Sequence, residues 1–199
     1  MTSIEQRLPL RRRMRATRSA MPPLERLRAS AAVAALLRGT ALVRHGDHVA
    51  LYWAVQGELP LLDIVHVLTS LQCQLYLPVV GDEQRLRFAP WQHGMPMQPN
   101  RYGIPEPVVA PDTLRDGMSL DVVLVPLVAF DRLGNRLGSG AGFYDRSFAA
   151  LAAAARPARP RLVGIGYSVQ EVPVLPAQSW DVRLDHVLTE RELITMQAV

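Results

Sequence analysis

The 199-residue sequence has little that could cross-link it or anchor it in a membrane. It contains one cysteine, Cys73, so an internal disulfide is impossible. Its longest apolar run, Val122 to Phe130, spans nine residues and includes a proline, which is too short for a membrane-spanning helix. Met1 is followed by polar residues rather than by the apolar core of a secretory signal. We therefore expect a globular, cytoplasmic protein that does not associate with a membrane.

The sequence also lacks the usual arrangements of nucleophiles and metal ligands. Among the five histidines only His45 and His48 lie close together, so no zinc site is predicted. Cys73 has no basic neighbour that would lower the pKa of its thiol, and no serine occupies a nucleophile elbow. These absences favour chemistry between two bound substrates, in which the protein supplies positioning and charge neutralisation.

The most informative segment runs from Asp121 to Phe148, where an apolar run leads into three alternate glycines, Gly138, Gly140 and Gly142. The β-branched run that ends at Pro126 predicts an interior strand, and an alanine-rich helix is expected after the glycines. Glycines let backbone amides approach a ligand closely, and a helix N-terminus favours an anion, so the segment predicts a phosphate-binding loop. Its spacing fits neither the dinucleotide fingerprint nor a Walker loop. An ordinary structural turn is the alternative.

Charged side chains border the glycine-rich loop on both sides. Arg136 precedes it and Arg146 follows it, which adds positive charge for a phosphate. Asp145 lies where the first turn of the following helix is expected, a position that suits a metal-binding carboxylate. Because Mg²⁺ combines few protein carboxylates with phosphate oxygens, Asp145 and one remote acid would be sufficient. Asp181 is the candidate for that second ligand; a helix-start acid and a turn acid are the respective alternatives.

The excess of positive charge, +4 in total, is concentrated near the amino terminus. Four of the arginines there follow helical spacing and therefore share one face of a predicted helix, whereas Arg12 and Arg13 point elsewhere. These four are Arg7, Arg11, Arg15 and Arg18. The face predicts an anionic partner, which is either the phosphates of a small ligand or a nucleic acid. A solvated arginine-rich helix is the remaining alternative.

Helices and strands are expected to alternate along the chain. A helical pair is predicted in residues 1–38, with a break at 21–23, and no internal repeat is present. Strands are predicted at 48–53, 74–79, 86–88, 122–126, 161–166 and 186–188, and helices at 61–71 and 148–155. This order predicts a three-layer α/β/α fold, in which helices cover both faces of a mostly parallel sheet. Residues 1–199 are expected to form one domain, with the basic helical pair packed on the α/β core.

Several motifs resemble those of the 5-formyltetrahydrofolate cyclo-ligase family, also called the methenyltetrahydrofolate synthetases, over nearly the whole chain. The family's VPxxAFD strand appears as Val125 to Asp131, and its glycine-rich GxRLGxGxGYYDR sequence appears as Gly134 to Arg146. Further matches in the same order are Gly57-Glu58, Leu77-Pro78, Gly103 to Pro107, and Gln170 with Leu175-Pro176 and Asp181. Spaced motifs in a fixed order make the resemblance specific.

The resemblance implies an ATP-dependent ring closure in which the formyl oxygen of 5-formyltetrahydrofolate is phosphorylated. N10 then attacks the formyl carbon and phosphate leaves, which gives 5,10-methenyltetrahydrofolate, ADP and phosphate. The resemblance also implies that the reaction requires Mg²⁺ and uses ATP as a co-substrate. The implied partners are these small molecules, without nucleic acid, and we expect a monomer or a weak homodimer.

The resemblance also implies roles for individual residues around the nucleotide. The implied catalytic residues are Arg136, Tyr144 and Asp145, and the implied Mg²⁺ ligands are Asp145 and Asp181. The implied ATP-binding residues are Arg7, Arg11, Arg136, Gly138, Ser139, Gly140, Ala141, Gly142, Phe143 and Tyr144. Several departures from the family pattern bear on ATP: the family usually has lysine at Arg7 and tyrosine at Phe143, some members are basic at Ser139 or Ala141, and a glutamate is often found at the place of Gln178.

Two further residues are implied to bind the folate. Glu58 matches the family's pterin contact, and a carboxylate suits the adjacent N–H donors of the 2-amino-4-oxo edge. Trp53 would line the folate pocket as an aromatic wall, with a role in the core as its alternative.

Two other kinds of protein remain as alternatives. A nucleic-acid-binding protein could use the arginine face, although residues 1–30 lack the interleaved aromatics that single-strand binding requires. A sugar-phosphate or acyl-transfer enzyme could be built on a similar sheet.

Overall fold

The computed structural model describes residues 3–152, 154 and 158–196, with residues 3–5 described by their backbone alone. Its helices are α1 Ser3–Ala20, α2 Pro23–Arg38, α3 Leu62–Ser70 and α4 Phe143–Ser147. Its strands are β1 His48–Ala50, β2 Gln74–Val80, β3 Leu86–Pro90, β4 Met97–Pro99, β5 Pro105–Pro107, β6 Arg115–Asp116, β7 Val122–Pro126, β8 Ala129–Phe130, β9 Arg136–Leu137, β10 Arg161–Ile165, β11 His186–Leu188 and β12 Leu193–Thr195.

A mostly parallel sheet with the order β12-β11-β10-β7-β1-β2-β3-β6 forms the centre of the structure. The strands from β11 to β2 pair in parallel, and β12, β3 and β6 add antiparallel edges. This confirms the predicted α/β fold and the interior position of β7. Because β1, β7 and β10 run in one direction, the segments that follow them meet at one edge of the sheet, where open α/β folds bind ligands.

The two faces of the sheet bury different side chains, since successive residues of a strand point in opposite directions. Val122 and Leu124 of β7 pack in one cluster with α2 and α3, whereas Val123 and Val125 pack in the cluster on the other face. In the described part of the chain, that second face is covered by α4, by a single 3-10 turn at Ala149–Leu151 and by loops rather than by a long helix.

The helix predicted at 148–155 is wrong. α4 begins at Phe143 and ends at Ser147, and only one 3-10 turn follows; positions 153 and 155 lie outside the described residues. Phe148 is fully buried and its φ of −115° is not helical, so the packing of this ring outweighs the helix propensity of the alanines. A helix of five residues has little dipole, so α4 by itself would attract an anion only weakly.

Most other predicted elements are confirmed, with two differences. The helical pair ends and restarts at the predicted break, but the strand predicted at 48–53 is shorter, because β1 ends at Ala50. No element was predicted in the proline-rich segment 90–111, which contains the hairpin β4–β5. Pro99 pairs with Pro105 in that hairpin, and prolines without N–H groups conceal a strand from sequence patterns.

Helix α1 lies across the hairpin β8–β9, which leads into the glycine-rich loop. Met14 is buried and packs in one cluster with Val128 and Leu137. This contact turns one face of α1 toward the loop and leaves Arg12 exposed on another.

Candidate active site

Asp131 organises the turn that precedes the glycine-rich loop. It is fully buried, and its Oδ1 accepts hydrogen bonds from the backbone N–H groups of Leu133 and Asn135, both at 3.0 Å. Its Oδ2 accepts from Asn135 Nδ2 and from the Leu175 N–H, both at 2.9 Å. Four donors satisfy the buried carboxylate and hold the hairpin in one shape. The glycine-rich loop therefore starts from a fixed support.

Two glycines of the loop adopt backbone conformations that favour glycine. Gly140 has φ of +111° and Gly142 has φ of +71°, and Gly142 directly precedes α4. Gly138 differs, because a Cβ added there would meet nothing within 4 Å. The loop is therefore open above Gly138, where a ligand could approach the backbone.

Two arginines of α1 are hydrogen-bonded to the loop. Arg11 Nε donates to the carbonyl oxygen of Gly138 at 2.9 Å, and Arg15 Nη2 donates to that of Ser139 at 3.0 Å. Burial, and then the charges of Arg15 and Arg7, lower the pKa of Arg11 from its ordinary value, but a guanidinium stays charged at neutral pH. This concentration of positive charge suits a polyphosphate.

Each of the two predicted metal ligands is paired with an arginine. Arg136 Nη2 lies 2.6 Å from Asp145 Oδ1, which also accepts from the Val182 N–H at 3.2 Å. Arg7 forms an ion pair with Asp181, with Nη1 at 3.4 Å from Oδ1. Because Val182 follows Asp181 in the chain, Asp145 contacts the backbone segment that carries Asp181.

This pair of carboxylates fits Mg²⁺ through its chemistry. Oxygen ligands suit a hard cation that takes its other ligands from phosphates and water. Among the residues that the structure describes, no group of three or more histidine, cysteine, aspartate or glutamate side chains could hold a metal ion. The donor set therefore fits a cation that arrives with a phosphate ligand, and the assignment of Asp145 and Asp181 stays a prediction.

Glu58 lies in the segment that follows β1, at the same edge of the sheet. Its Oε2 accepts from the Val55 N–H at 3.1 Å, and its Oε1 lies 3.7 Å from Arg18 Nη1. Burial raises the pKa of Glu58, while the Val55 N–H, Arg18 and Arg15 act in the opposite direction. The result is a largely buried carboxylate with a cation beside it.

Aromatic side chains connect the loop to its surroundings. The ring of Phe143 meets Tyr102 edge to face at 5.8 Å, and the Arg146 guanidinium lies 5.9 Å from the Phe143 ring centre. Burial, and then the nearby charge of Glu58, raise the pKa of Tyr144, so its hydroxyl remains protonated. The charge of Glu58 thus acts on a side chain of the glycine-rich segment.

Most of the predicted site residues lie in one region. The loop, the α1 arginines and the two aspartates are joined by the contacts above, and Glu58 lies 3.7 Å from Arg18 of the same helix. Trp53 is two-fifths exposed, and its role as a folate wall stays a prediction. Sequence reasoning placed Arg15 and Arg18 on the predicted anion-binding face without giving either a partner, and it gave no site role to Tyr102 or Asp131.

Fold and site together define an α/β protein that gathers a glycine-rich loop, arginines and carboxylates at the carboxyl edge of a parallel sheet. The family model for 5-formyltetrahydrofolate cyclo-ligases matches residues 3–190. The 5-formyltetrahydrofolate cyclo-ligase of Haemophilus influenzae is 32% identical over 186 residues, which cover 92% of this chain and 97% of the relative. That of Escherichia coli is 33% identical over 143 residues, covering 71% and 76%.

A solved structure agrees with these matches. The NMR structure of Aquifex aeolicus 5,10-methenyltetrahydrofolate synthetase has a TM-score of 0.80 at 28% identity and covers 96% of this chain and 93% of its own. The chain belongs to the 5-formyltetrahydrofolate cyclo-ligase family and is an enzyme of that class. None of the helices in the described residues is long and apolar enough to cross a membrane.

Proposed function

We propose that this protein catalyses the ATP- and Mg²⁺-dependent cyclisation of 5-formyltetrahydrofolate to 5,10-methenyltetrahydrofolate, with release of ADP and phosphate. Membership of the family supports the substrate and the product. One arrangement supports the binding of ATP. Arg11 is hydrogen-bonded to the glycine-rich loop, Asp145 follows that loop and contacts Val182, and Asp181 is paired with Arg7 of the same helix as Arg11. A triphosphate with a bound cation needs these partners together.

ATP would lie along the segment from Gly138 to Tyr144, with its phosphates facing α1. Arg11 donates a hydrogen bond to the carbonyl oxygen of Gly138. A phosphate at this point would therefore meet the positive charge of the guanidinium instead of an unpaired carbonyl oxygen. Arg7 and Arg136 add charge and orient the two aspartates. Mg²⁺ held by these aspartates would neutralise charge on the phosphate oxygens.

The chemistry requires no protein nucleophile. The formyl oxygen attacks the γ-phosphorus of ATP, so an O–P bond forms as the bond to ADP breaks. N10 then attacks the activated formyl carbon, the carbon–oxygen bond breaks, phosphate leaves and the N10 proton is lost. Arg136 would stabilise the transferring phosphoryl group, and the protonated Tyr144 hydroxyl can donate a hydrogen bond to an oxygen that gains charge.

The folate would be bound through its pterin ring. The Glu58 carboxylate can accept two adjacent N–H donors from the 2-amino-4-oxo edge, and Trp53 offers an exposed aromatic face. Because α1 contacts Glu58 through Arg18 and the glycine-rich loop through Arg11, a pterin on Glu58 would lie on the side of α1 that also faces the loop.

A spectroscopic assay tests this proposal, because the methenyl product absorbs in the near ultraviolet and the formyl substrate does not. We expect the absorbance to rise only when ATP, Mg²⁺ and 5-formyltetrahydrofolate are all present. Omission of each component in turn provides the controls. Folded protein that binds neither ATP nor the formyl folate would overturn the proposal.

The contacts of α1 favour the phosphates of a small ligand over the nucleic-acid alternative. Arg7, Arg11, Arg15 and Arg18 each contact another part of the protein, and the absence of a nucleic-acid partner stays our prediction. A cytoplasmic location and a monomeric or weakly dimeric state remain our predictions.

A further inference from the structure

Arg18 is one of the few charged residues in the interior of the protein. It lies near the end of α1 with 2% of its surface exposed, and its Nη1 donates to the carbonyl oxygen of Leu127 at 3.2 Å. Within the part of the chain that the structure describes, its buried Nε has no hydrogen-bond partner, and the same holds for the hydroxyl of the fully buried Tyr167. Buried polar atoms without partners are rare in folded proteins, so this position needs an explanation.

The nearest carboxylate is that of Glu58, yet the two side chains are not hydrogen-bonded. Arg18 Nη1 and Glu58 Oε1 lie 3.7 Å apart, which is an ion-pair distance but too long for a hydrogen bond. At this distance the guanidinium stabilises the negative charge without occupying the oxygen. A close bidentate pair would instead use the lone pairs that a ligand needs.

We propose that Arg18 is a positioning residue for Glu58: it holds the largely buried side chain as a carboxylate, so that it can accept two N–H donors from the pterin. This inference rests on the proposed function, in which Glu58 binds the folate. Burial of Arg18 has a large desolvation cost, and a neighbouring anion offsets that cost. Arg18 therefore offsets part, but not all, of the cost of burying the Glu58 carboxylate.

Among the charged and titratable groups near Glu58, the main cations are the two α1 arginines. Arg18 and Arg15 face it from α1, and Tyr52, Tyr144 and Tyr167 approach from the segments after β1, the glycines and β10. Burial raises the pKa of all three tyrosines, so they stay neutral near pH 7. Arg26 lies beyond Gly57, where a Cβ would be 3.1 Å from its Nη1.

The direction of the pH effect follows from these neighbours. Burial already favours the protonated form of Glu58, and Arg18 opposes that tendency. Removing the charge of Arg18 therefore raises the pKa of Glu58 further. Folate affinity should then fall at a higher pH than it does in the wild type as the solution is acidified.

The experiment measures the dissociation constant of 5-formyltetrahydrofolate by calorimetry from about pH 5 to about pH 9, a range in which a displaced glutamate titrates. Arg18→Gln removes the charge but keeps a donor for the carbonyl oxygen of Leu127. We expect its affinity to be about tenfold lower at pH 7, with a greater loss at lower pH and partial recovery at higher pH. Arg18→Lys keeps the charge and should follow the wild-type pH profile. ATP affinity, measured in parallel, should change less than about twofold in both variants.

Glu58→Gln separates failure of this inference from failure of the proposed function. If Glu58→Gln leaves folate affinity unchanged, the pterin role of Glu58 is wrong. If Glu58→Gln weakens folate binding while Arg18→Gln matches the wild type at every pH, only the role of Arg18 is wrong. A loss in Arg18→Gln that is equal at all pH values and additive with Glu58→Gln would also overturn it. If Arg18→Gln does not fold, a folded Arg18→Lys variant without the wild-type pH profile overturns it as well.

Discussion

Arg11 Nε lies 2.9 Å from the carbonyl oxygen of Gly138, although 127 residues separate them in the chain. A bare carbonyl oxygen would repel a phosphate, and the guanidinium satisfies this oxygen while it places a positive charge in the same location. The contact therefore explains why a basic helix and a glycine-rich loop act as one unit. It also suggests which arginines of α1 matter for the nucleotide.

Arg11→Ala should raise the KM for ATP by about tenfold or more, which corresponds to about 1.4 kcal/mol of charge-assisted bonding. Steady-state kinetics at saturating folate would measure this change. The matched control is Arg12→Ala on the same helix, because Arg12 is exposed to solvent and should be nearly neutral. Similar effects of the two substitutions would assign the arginines a general electrostatic role instead.

Arg7 is expected to tolerate lysine better than alanine. Its guanidinium pairs with Asp181 and donates from Nε to the carbonyl oxygen of Pro176 at 2.8 Å. Lysine retains the charge but cannot make both contacts, so Arg7→Lys should raise the KM for ATP only a few fold. Arg7→Ala should raise it by about tenfold or more. Equal values for the two variants would contradict a role for the positive charge.

Asp145→Asn should shift the Mg²⁺ requirement to higher concentration and leave folate affinity almost unchanged. An amide oxygen is a neutral and poorer ligand for a hard cation. Activity titrated with Mg²⁺, with folate binding measured separately, checks both parts. An unchanged titration would leave Asp145 with only its observed role as the partner of the buried Arg136.

Asp131→Ala should destabilise the protein by about 3 kcal/mol or more, because it leaves several buried donors without an acceptor. Asp131 is fully buried and accepts four hydrogen bonds. Urea denaturation would measure the free energy of unfolding. Asp112→Ala, at an exposed position, is the control and should change it by less than about 0.5 kcal/mol. A small effect at Asp131 would mean that the hairpin finds other acceptors.

Sequence spacing predicted the helices and strands whose form depends on residues close together in the chain. The spacing of Arg7 and Arg11 predicts a shared helical face, because helical periodicity involves only neighbouring turns. The β-branched run before Pro126 predicts an interior strand for a similar reason. What spacing cannot predict is whether that face meets solvent, nucleic acid or protein.

The parts that were wrong or missed depend on residues distant in sequence. α4 ends at Ser147 because the ring of Phe148 packs in the buried cluster against the sheet. The residues that it packs against are distant in sequence, so helical spacing does not reveal this contact. The proximity of Arg18 to Glu58 likewise requires α1 to cross the carboxyl edge of the sheet. Such contacts arise only from tertiary packing, so residue type and spacing along the chain leave them open.

Glu58→Gln should make the protein more stable at neutral pH although it weakens folate binding. Burial raises the pKa of Glu58 above its unfolded value, so folding disfavours the ionised form. The stabilising contribution of the protonated group is complete below the unfolded pKa and is lost as pH rises through the folded pKa. Glutamine resembles the protonated form and does not lose its contribution at high pH.

Thermal melts of both proteins across the acid and neutral range would measure this effect. The glutamine variant should melt higher than the wild type near pH 7, and the difference should shrink as the pH falls below the usual range for a glutamate. Folate affinity should move the other way, with a loss of about 1.5 to 3 kcal/mol for a buried charge-assisted bond. A variant that is less stable at neutral pH would show that the attraction between Glu58 and Arg18 outweighs the cost of burying the carboxylate.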